Sequence, residues 1–169
     1  MADPGLRIGH GYDVHRFAAQ ADSARPLRLA GCQLPEPFTL EAHSDGDLVL
    51  HALCDALLGA AALGDIGEHF PDTDARFRGI DSRRLVAEVM TLLASHGLEP
   101  VNVDITIVAQ VPRLAAYRPQ MRDSVADLLG LPGNCVNLKA TTTERLGYIG
   151  REEGIACHCV ALLQKRIAS

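Results

Sequence analysis

Asp13 and His15 near the N-terminus, together with His51, are the residues whose types and spacing are best suited to chemistry. Asp13 and His15 stand two residues apart in a segment, 7–17, that reads as a strand, so both side chains leave the same face. His51 lies in an apolar, Ala/Leu-rich run typical of a helix. Two imidazoles and a carboxylate form the three-ligand set of a catalytic zinc site, whose fourth position stays open. The alternative is that Asp13 caps a turn and that His15 and His51 make ordinary hydrogen bonds in separate polar surroundings.

His43 and Ser44 stand just before His51, and we predict that its helix begins at Ser44, with Asp47 completing a capping-box-like pair. Such a helix start favours a bound anion, and His43 could donate to a phosphate oxygen. Asp47 and Asp55 flank His51 at four-residue spacing, so one of them could hold its far imidazole nitrogen. The alternatives are that His43 is a plain surface residue and that Asp47 and Asp55 form a solvated acidic stripe.

Three threonines and a glutamate, at 141–144, end another predicted strand. Hydroxyls there suit phosphate oxygens, and a nearby carboxylate suits a hard cation such as Mg²⁺ or Mn²⁺. The alternative is that the threonines make cross-strand pairs. Gly9 and Gly11 lack the third glycine and the following helix of a dinucleotide fingerprint, and the chain has no P-loop motif.

The overall composition is that of a globular protein: 169 residues, 47% apolar and 22% charged. A net charge of −5 implies no general affinity for nucleic acid or membranes. No signal peptide or membrane-spanning run is recognisable, so we expect one domain, 1–169, in the cytoplasm. The five cysteines are expected to be reduced, and Cys157-His158-Cys159 to serve packing rather than a metal.

Hydrophobic periodicity and turn signals predict the elements that position these residues. The last strand is apolar from Ile155 to Leu163, so both of its faces should be buried, one of them by a partner subunit. The acidic segment 65–74 is expected to be a mobile loop. The order ββααβαββ favours an α+β two-layer sandwich, with a mostly four-stranded mixed sheet and helices on one face. The predicted elements are strands at 7–17 and 27–31 (a hairpin), helices at 44–63, 81–97 and 119–130, and strands at 101–107, 136–143 and 155–165.

Several short motifs follow one another in order across nearly the whole chain. They include Gly-Tyr-Asp-Val-His, His-Ser-Asp-Gly-Asp and Lys-Ala-Thr-Thr-Thr-Glu, and the segments concerned are 7–15, 42–47, 51–53, 57–61, 63–67, 70–74, 109–112, 139–147 and 154–157. In these segments the chain resembles the 2-C-methyl-D-erythritol 2,4-cyclodiphosphate synthase family of the non-mevalonate isoprenoid pathway.

The resemblance implies a homotrimer with active sites between adjacent subunits. By position, it implies zinc on Asp13, His15 and His51, and Mg²⁺ or Mn²⁺ on Glu144 with the substrate diphosphate. His43 and Thr142 would stabilise the transition state. Asp65 and Gly67 would hold the methylerythritol hydroxyls, and 109–115 with 141–143 would form the cytidine pocket. The implied substrate-binding residues are Ser44, Asp65, Ile66, Gly67, Phe70, Pro71, Asp72, Thr73, Asp74, Ala109, Gln110, Val111, Pro112, Arg113, Leu114, Ala115, Thr141, Thr143, Tyr148 and Arg151.

The implied reaction converts 4-diphosphocytidyl-2-C-methyl-D-erythritol 2-phosphate to the 2,4-cyclodiphosphate and releases CMP. The substrate's own 2-phosphate is the nucleophile, which fits a chain without an obvious enzymic one. Two alternatives remain: a zinc phosphohydrolase using a metal-bound hydroxide, and a non-catalytic zinc or isoprenoid-diphosphate binding protein.

Three residues depart from the family pattern. Tyr12 and Tyr148 stand where Phe is frequent, and Glu152 stands where Gly is frequent. Glu152 would place an extra carboxylate near the mouth of the trimer's central cavity, which disfavours the isoprenoid-diphosphate binding proposed there for some relatives.

Overall fold

The computed structural model describes residues 5–71 and 73–166, and a four-stranded mixed sheet forms its centre. Its strands are β1 (Leu6–Arg16), β4 (Leu98–Val108), β5 (Val136–Thr141) and β6 (Gly154–Lys165), and two short strands, β2 (Arg28–Leu29) and β3 (Cys32–Gln33), pair separately. The sheet order is β1-β6-β4-β5, and only β4 and β5 run parallel. The α-helices are α1 (Leu48–Ala61), α2 (Ile66–His69), α3 (Ser82–Ser95), α4 (Arg118–Leu129) and α5 (Gly147–Gly150).

Helix α1 lies directly on β1 because two glycines remove the side chains that would separate them. A Cβ atom built on Gly9 would lie 2.0 Å from the Ala56 carbonyl oxygen, and one on Gly11 would lie 1.9 Å from that of Ala52. Both distances are far below van der Waals contact, so only glycine permits this approach. The close packing places the first turn of α1 beside the end of β1.

Helix α1 is buried on almost every side, as its Ala/Leu-rich sequence requires. The three of its residues that are not buried are His51, Asp55 and Gly59, which recur every four residues and therefore form one stripe. This stripe is the part of α1 that is available to a ligand.

The predicted α+β class and the four-stranded mixed sheet are confirmed, but the predicted hairpin is wrong. β1 pairs along its whole length with β6, and β2 pairs instead with β3 across Ala30 and Gly31. The segment 65–74 is also not simply a loop, because it contains α2, and a 3₁₀ turn follows at Ala75–Phe77. Helix α5 had no counterpart in the prediction. None of the described helices is long and apolar enough to cross a membrane.

Among the described residues, the sheet face opposite the helices is exposed. On β6, Cys157 and Cys159 are buried on the helix side, whereas His158 and Val160 are exposed on the face that was predicted to meet a partner subunit, so covering of that face stays a prediction. The two thiols therefore serve packing, as predicted, and all five cysteines are free. The large apolar residues exposed on β1 and β6 are Leu6, Ile8, Tyr12, Val14 and Val160.

Candidate functional site

The structure brings together the three residues that the sequence predicted as metal ligands. Asp13 Oδ2 lies 3.0 Å from His15 Nε2 and 2.9 Å from His51 Nδ1, and these two nitrogens are 3.3 Å apart. Ligands about 2.0–2.2 Å from a tetrahedral zinc are about 3.3–3.5 Å from one another, so the three atoms need move only slightly to hold it. Among the described residues, this is the one His/Cys/Asp/Glu group with metal-site spacing.

His15 directs its Nε2 to this group. Its Nδ1 lies 2.9 Å from the Glu41 carbonyl oxygen, which can only accept, so Nδ1 carries a proton. In the neutral imidazole Nε2 is therefore the nitrogen left for a metal, and in the protonated one Nε2 donates to Asp13. A hydrogen bond on the far imidazole nitrogen is the usual partner of a metal-binding histidine.

His51 is held by serines and not by the predicted carboxylates. Its Nε2 lies 2.9 Å from Ser82 Oγ and 3.2 Å from Ser44 Oγ. Asp55 makes no hydrogen bond to either ring nitrogen of His51. It accepts the Ile66 backbone N–H at 2.8 Å instead, and this hydrogen bond fixes the start of α2.

The prediction that the helix begins at Ser44 is wrong, because Asp47 is the N-cap and accepts from the Leu50 N–H. Its fully buried carboxylate also accepts the N–H groups of Ala30 and Gly31. Burial raises the pKa of Asp47, and these hydrogen bonds oppose that rise. This side chain takes the Leu50 N–H, one of the first-turn donors on which the predicted anion site depends.

The electrostatics of the three ligands reflect their mutual contact. Burial on its own would raise the pKa of Asp13, but hydrogen bonds with His15 and His51 lower it to about 2. Burial is the largest single effect on the pKa of His15 and lowers it, but the hydrogen bonds with Asp13 and the Glu41 carbonyl and the nearby carboxylate charges together outweigh burial and raise the pKa. Asp13 is therefore a carboxylate at neutral pH, as a metal ligand must be.

The three ligands lie in a cavity of about 450 Å³. Of the predicted substrate-side residues, His43, Ser44, Ile66, Gly67 and Phe70 line it, and the structure adds Glu41, Ala42, Phe77, Arg78, Ile80 and Leu85. Arg78 is the notable addition, because it supplies an exposed cation that no motif in the sequence indicated. It lies one residue before Gly79, whose N–H donates to the His43 carbonyl.

The remaining described residues of the predicted loop are outside the cavity lining. Asp65 caps α2 by accepting from the Glu68 N–H, and Asp74 pairs with Arg76. Pro71 and Thr73 are not among the lining residues, and Asp72 lies outside the described residues.

The predicted nucleotide-side segments lie together, but away from the metal ligands. The Ala109 N–H donates to the Thr141 carbonyl, and the Arg145 N–H donates to Gln110 Oε1 at 3.1 Å. The Thr142 hydroxyl donates to Glu144 Oε1 at 3.0 Å. Segments 109–115 and 141–144 therefore follow the carboxyl ends of the parallel strands β4 and β5, although Ala109, Pro112 and Leu114 are buried.

Strand register measures how far these segments are from the metal ligands. Asp13 pairs with Cys157, Cys157 with Ile107, and Ile107 with Ala140. This row crosses three strand spacings, about 14–15 Å. The metal ligands and the Thr–Glu segment thus lie at opposite edges of the sheet in one chain.

Tyr148 and Arg151 are also absent from the main cavity. The Tyr148 hydroxyl lies 2.8 Å from that of Tyr12, and both border a second cavity of about 350 Å³ that includes His158. Arg151 pairs with Glu153 at 2.6 Å. These residues belong to the region of the open sheet face.

Fold and site together define an α+β protein with a candidate three-ligand metal centre at a ligand-sized cavity. The chain belongs to the YgbB family, whose model matches residues 6–164. It is similar to proteins named 2-C-methyl-D-erythritol 2,4-cyclodiphosphate synthase, including that of Nitrosococcus oceani, 59% identical over 158 residues. That of Azotobacter vinelandii is 60% identical over 158 residues. Each match covers 94% of this chain and 98% of the relative.

Solved structures share the fold. The bifunctional IspDF of Campylobacter jejuni matches with a TM-score of 0.88 and 43% identity over 95% of this chain, which spans 42% of that longer protein. The IspF–CDP complex of Plasmodium falciparum matches with a TM-score of 0.83 and 30% identity, covering 98% of this chain and 100% of the other.

Proposed function

We propose that this chain is a metal-dependent cyclodiphosphate synthase. Its substrate would be 4-diphosphocytidyl-2-C-methyl-D-erythritol 2-phosphate, and its products the 2,4-cyclodiphosphate and CMP. The observation that carries the proposal is the convergence of Asp13 Oδ2, His15 Nε2 and His51 Nδ1 in a cavity, in a chain similar to proteins of that name.

The donor set fits the proposed metals. Asp13, His15 and His51 offer one oxygen and two nitrogens, which suit Zn²⁺ with one position left open. Glu144 is an exposed carboxylate that suits Mg²⁺ or Mn²⁺, with substrate phosphates supplying further oxygens. When bound, the two cations would neutralise the diphosphate and favour attack on its β-phosphorus.

The chain's own residues would fold the substrate into an in-line pose. An oxygen of the 2-phosphate attacks the β-phosphorus, and the bond from that phosphorus to the oxygen bridging the α-phosphorus breaks. CMP departs with the bridging oxygen, so no enzymic nucleophile is required. His43 and Arg78 border the cavity as donors to phosphate oxygens, and Thr142 would donate from the nucleotide side.

The two ends of the substrate would be held by two different parts of the protein, the region around α2 and the segments that follow β4 and β5. Asp65 and Gly67, with their helix α2 fixed by Asp55, would position the methylerythritol hydroxyls. Segments 109–115 and 141–143 would hold the cytidine. Tyr148 and Arg151 would contact the substrate from the open sheet face.

We further propose a homotrimer whose active sites form between subunits. The distance across the sheet supports this proposal. Within one chain, the row from Asp13 to Ala140 crosses about 14–15 Å, so the metal ligands and the segment 141–144 that follows Ala140 need not serve the same site. The exposed apolar residues of β1 and β6 supply a surface that a second copy would cover.

Phosphorus NMR of the purified protein with the cytidyl substrate tests the proposed function. We expect CMP and a cyclic diphosphate in equal amounts, and neither after chelation. Release of inorganic phosphate would identify a phosphohydrolase instead. Metal binding with no turnover would identify a binding protein.

Replacement of Glu144 by Gln should impair turnover through the second cation, because the amide keeps the shape and loses the charge. The defect should shrink as Mg²⁺ or Mn²⁺ is raised in steady-state assays. Glu88→Gln, an exposed glutamate on α3, is the matched control and should leave turnover unchanged. A Glu144→Gln defect that does not respond to cation concentration would contradict the assignment.

Zinc binding should release a proton at pH values below the raised pKa of His15. His15 has a raised pKa in the metal-free protein, so its charged form persists to higher pH than in a free histidine. Zinc requires the neutral imidazole, so affinity should fall as the pH drops through that raised pKa. Calorimetry in two buffers of different ionisation enthalpy would measure the released proton, and equal heats in both would contradict the expectation.

A further inference from the structure

The serine that contacts His51 has a fixed hydrogen-bond direction. Ser82 is completely buried, and its hydroxyl lies 2.5 Å from Asp45 Oδ1 and 2.9 Å from His51 Nε2. An ionised carboxylate can only accept, so the Ser82 proton points to Asp45. The Ser82 oxygen must then accept from His51, which places the imidazole proton on Nε2.

This tautomer leaves the other nitrogen of His51 free for a metal. Nδ1 then carries the lone pair that a metal shared with Asp13 would bind; without a metal, the Asp13 carboxylate 2.9 Å away accepts from Nδ1 and competes for the proton. The Ser44 hydroxyl is more distant, at 3.2 Å from Nε2, and its oxygen also accepts from the Gly46 N–H. Donation from Ser44 would also favour the opposite tautomer, so the Asp45–Ser82 pair is what favours protonation at Nε2.

Asp45 is itself firmly anchored. Its Oδ2 accepts the Ser82 backbone N–H at 3.1 Å, and its Oδ1 accepts the Asp47 N–H at 3.3 Å. Its own backbone N–H donates to the Ile80 carbonyl at 3.1 Å. The carboxylate therefore joins the start of α3 to the segment that leads into α1.

We propose that Asp45 is a positioning residue for the metal centre, acting through the Ser82 hydroxyl to fix the tautomer and orientation of His51. This inference rests on the proposed metal at Asp13, His15 and His51. It replaces the sequence-based assignment of that role to Asp47 or Asp55.

Two substitutions test the chain of hydrogen bonds. Ser82→Ala removes the acceptor for the His51 N–H, and Asp45→Asn removes the charge that orients the Ser82 hydroxyl. Each should weaken zinc affinity about 10–100-fold, measured against a competing chelator. Ser95→Ala, at the other end of α3, and Asp81→Asn, which caps α3 and pairs with Arg83, are the matched controls. Neither control residue contacts His51, so zinc affinity should be unchanged in both.

Nitrogen NMR of ¹⁵N-histidine-labelled protein gives a readout that a purely structural role would not move. With zinc, the wild-type protein should show His51 protonated at Nε2. In the metal-free protein at alkaline pH, the Asp13 carboxylate competes by accepting from Nδ1. The fraction of His51 protonated at Nε2 should therefore be larger in the wild type than in the metal-free Ser82→Ala and Asp45→Asn proteins. Because the wild-type spectrum is part of the test, the proposal stays falsifiable even if a variant fails to fold.

The results separate this proposal from the proposed reaction. A zinc-bound wild-type His51 protonated at Nδ1, an unchanged metal-free tautomer ratio in the variants, or folded variants with the zinc affinity of their controls would overturn the positioning role. If zinc binding depends on Ser82 and Asp45 but the cytidyl substrate is not converted, the positioning role stands and the proposed reaction fails.

Discussion

His51→Ala should abolish turnover and leave the fold largely intact. The residue lies on the one stripe of α1 that is not buried, so its removal creates no core cavity, and alanine favours the helix. What is lost is one of three ligands, and two cannot hold zinc tightly. We expect no measurable CMP release, a large fall in bound zinc by elemental analysis, and a melting temperature close to that of the wild type under chelation.

The control for this variant is His96→Ala, because His96 is exposed at the end of α3 and contacts none of the three ligands. It should keep both zinc and activity. Full zinc occupancy in His51→Ala would show that the metal binds elsewhere.

Gly11→Ala should destabilise the protein strongly. The added methyl would lie 1.9 Å from the Ala52 carbonyl oxygen and 2.7 Å from the Ala56 nitrogen, both backbone atoms that cannot rotate away. Overpacking typically costs about 1–3 kcal/mol, and a clash with rigid backbone belongs at or beyond the upper end. Any folded fraction should also bind zinc poorly, because α1 carries His51 away from Asp13 and His15 as it shifts.

Gly59→Ala is the matched control for this substitution, since its added methyl has no neighbour within 4 Å beyond the adjoining backbone of its own helix. Alanine in a helix interior should raise the free energy of unfolding by about 0.5–1 kcal/mol. Thermal unfolding of both variants tests the packing. A Gly11→Ala protein with wild-type stability would contradict the contact between α1 and β1.

Local patterns predicted most of the sheet and the long helices. Alternating apolar residues indicated β4, and Gly130 marked the end of α4, because these signals depend only on neighbouring residues. The pairing of β1 with β6 was not predictable in this way, since it joins opposite ends of the chain. Sequence proximity favoured a hairpin instead.

The candidate site shows the same division between local and distant information. Asp13 and His15 could be recognised from their spacing on a strand and His51 from its place in an Ala/Leu-rich helical run, and the family resemblance agreed with that set. The far-side partner of His51 could not be found, because Ser82 is 31 residues away and has no distinctive motif. Gly9 and Gly11 lack the rest of a dinucleotide fingerprint, and the structure gives the reason for their spacing: both face α1, which packs closely on β1.

Mixed assemblies of two inactive variants test most directly the claim that one metal-dependent site is built from two subunits. His51→Ala removes the metal ligands' half, and the double variant Thr142→Val with Glu144→Gln removes the other half. Each protein alone should release no CMP from the cytidyl substrate. After co-refolding in equal amounts, random cyclic trimers should contain about a quarter of their sites with both halves intact. Activity near that fraction of wild type is the predicted result, and no recovery, with subunit exchange verified by mass spectrometry, would contradict the account.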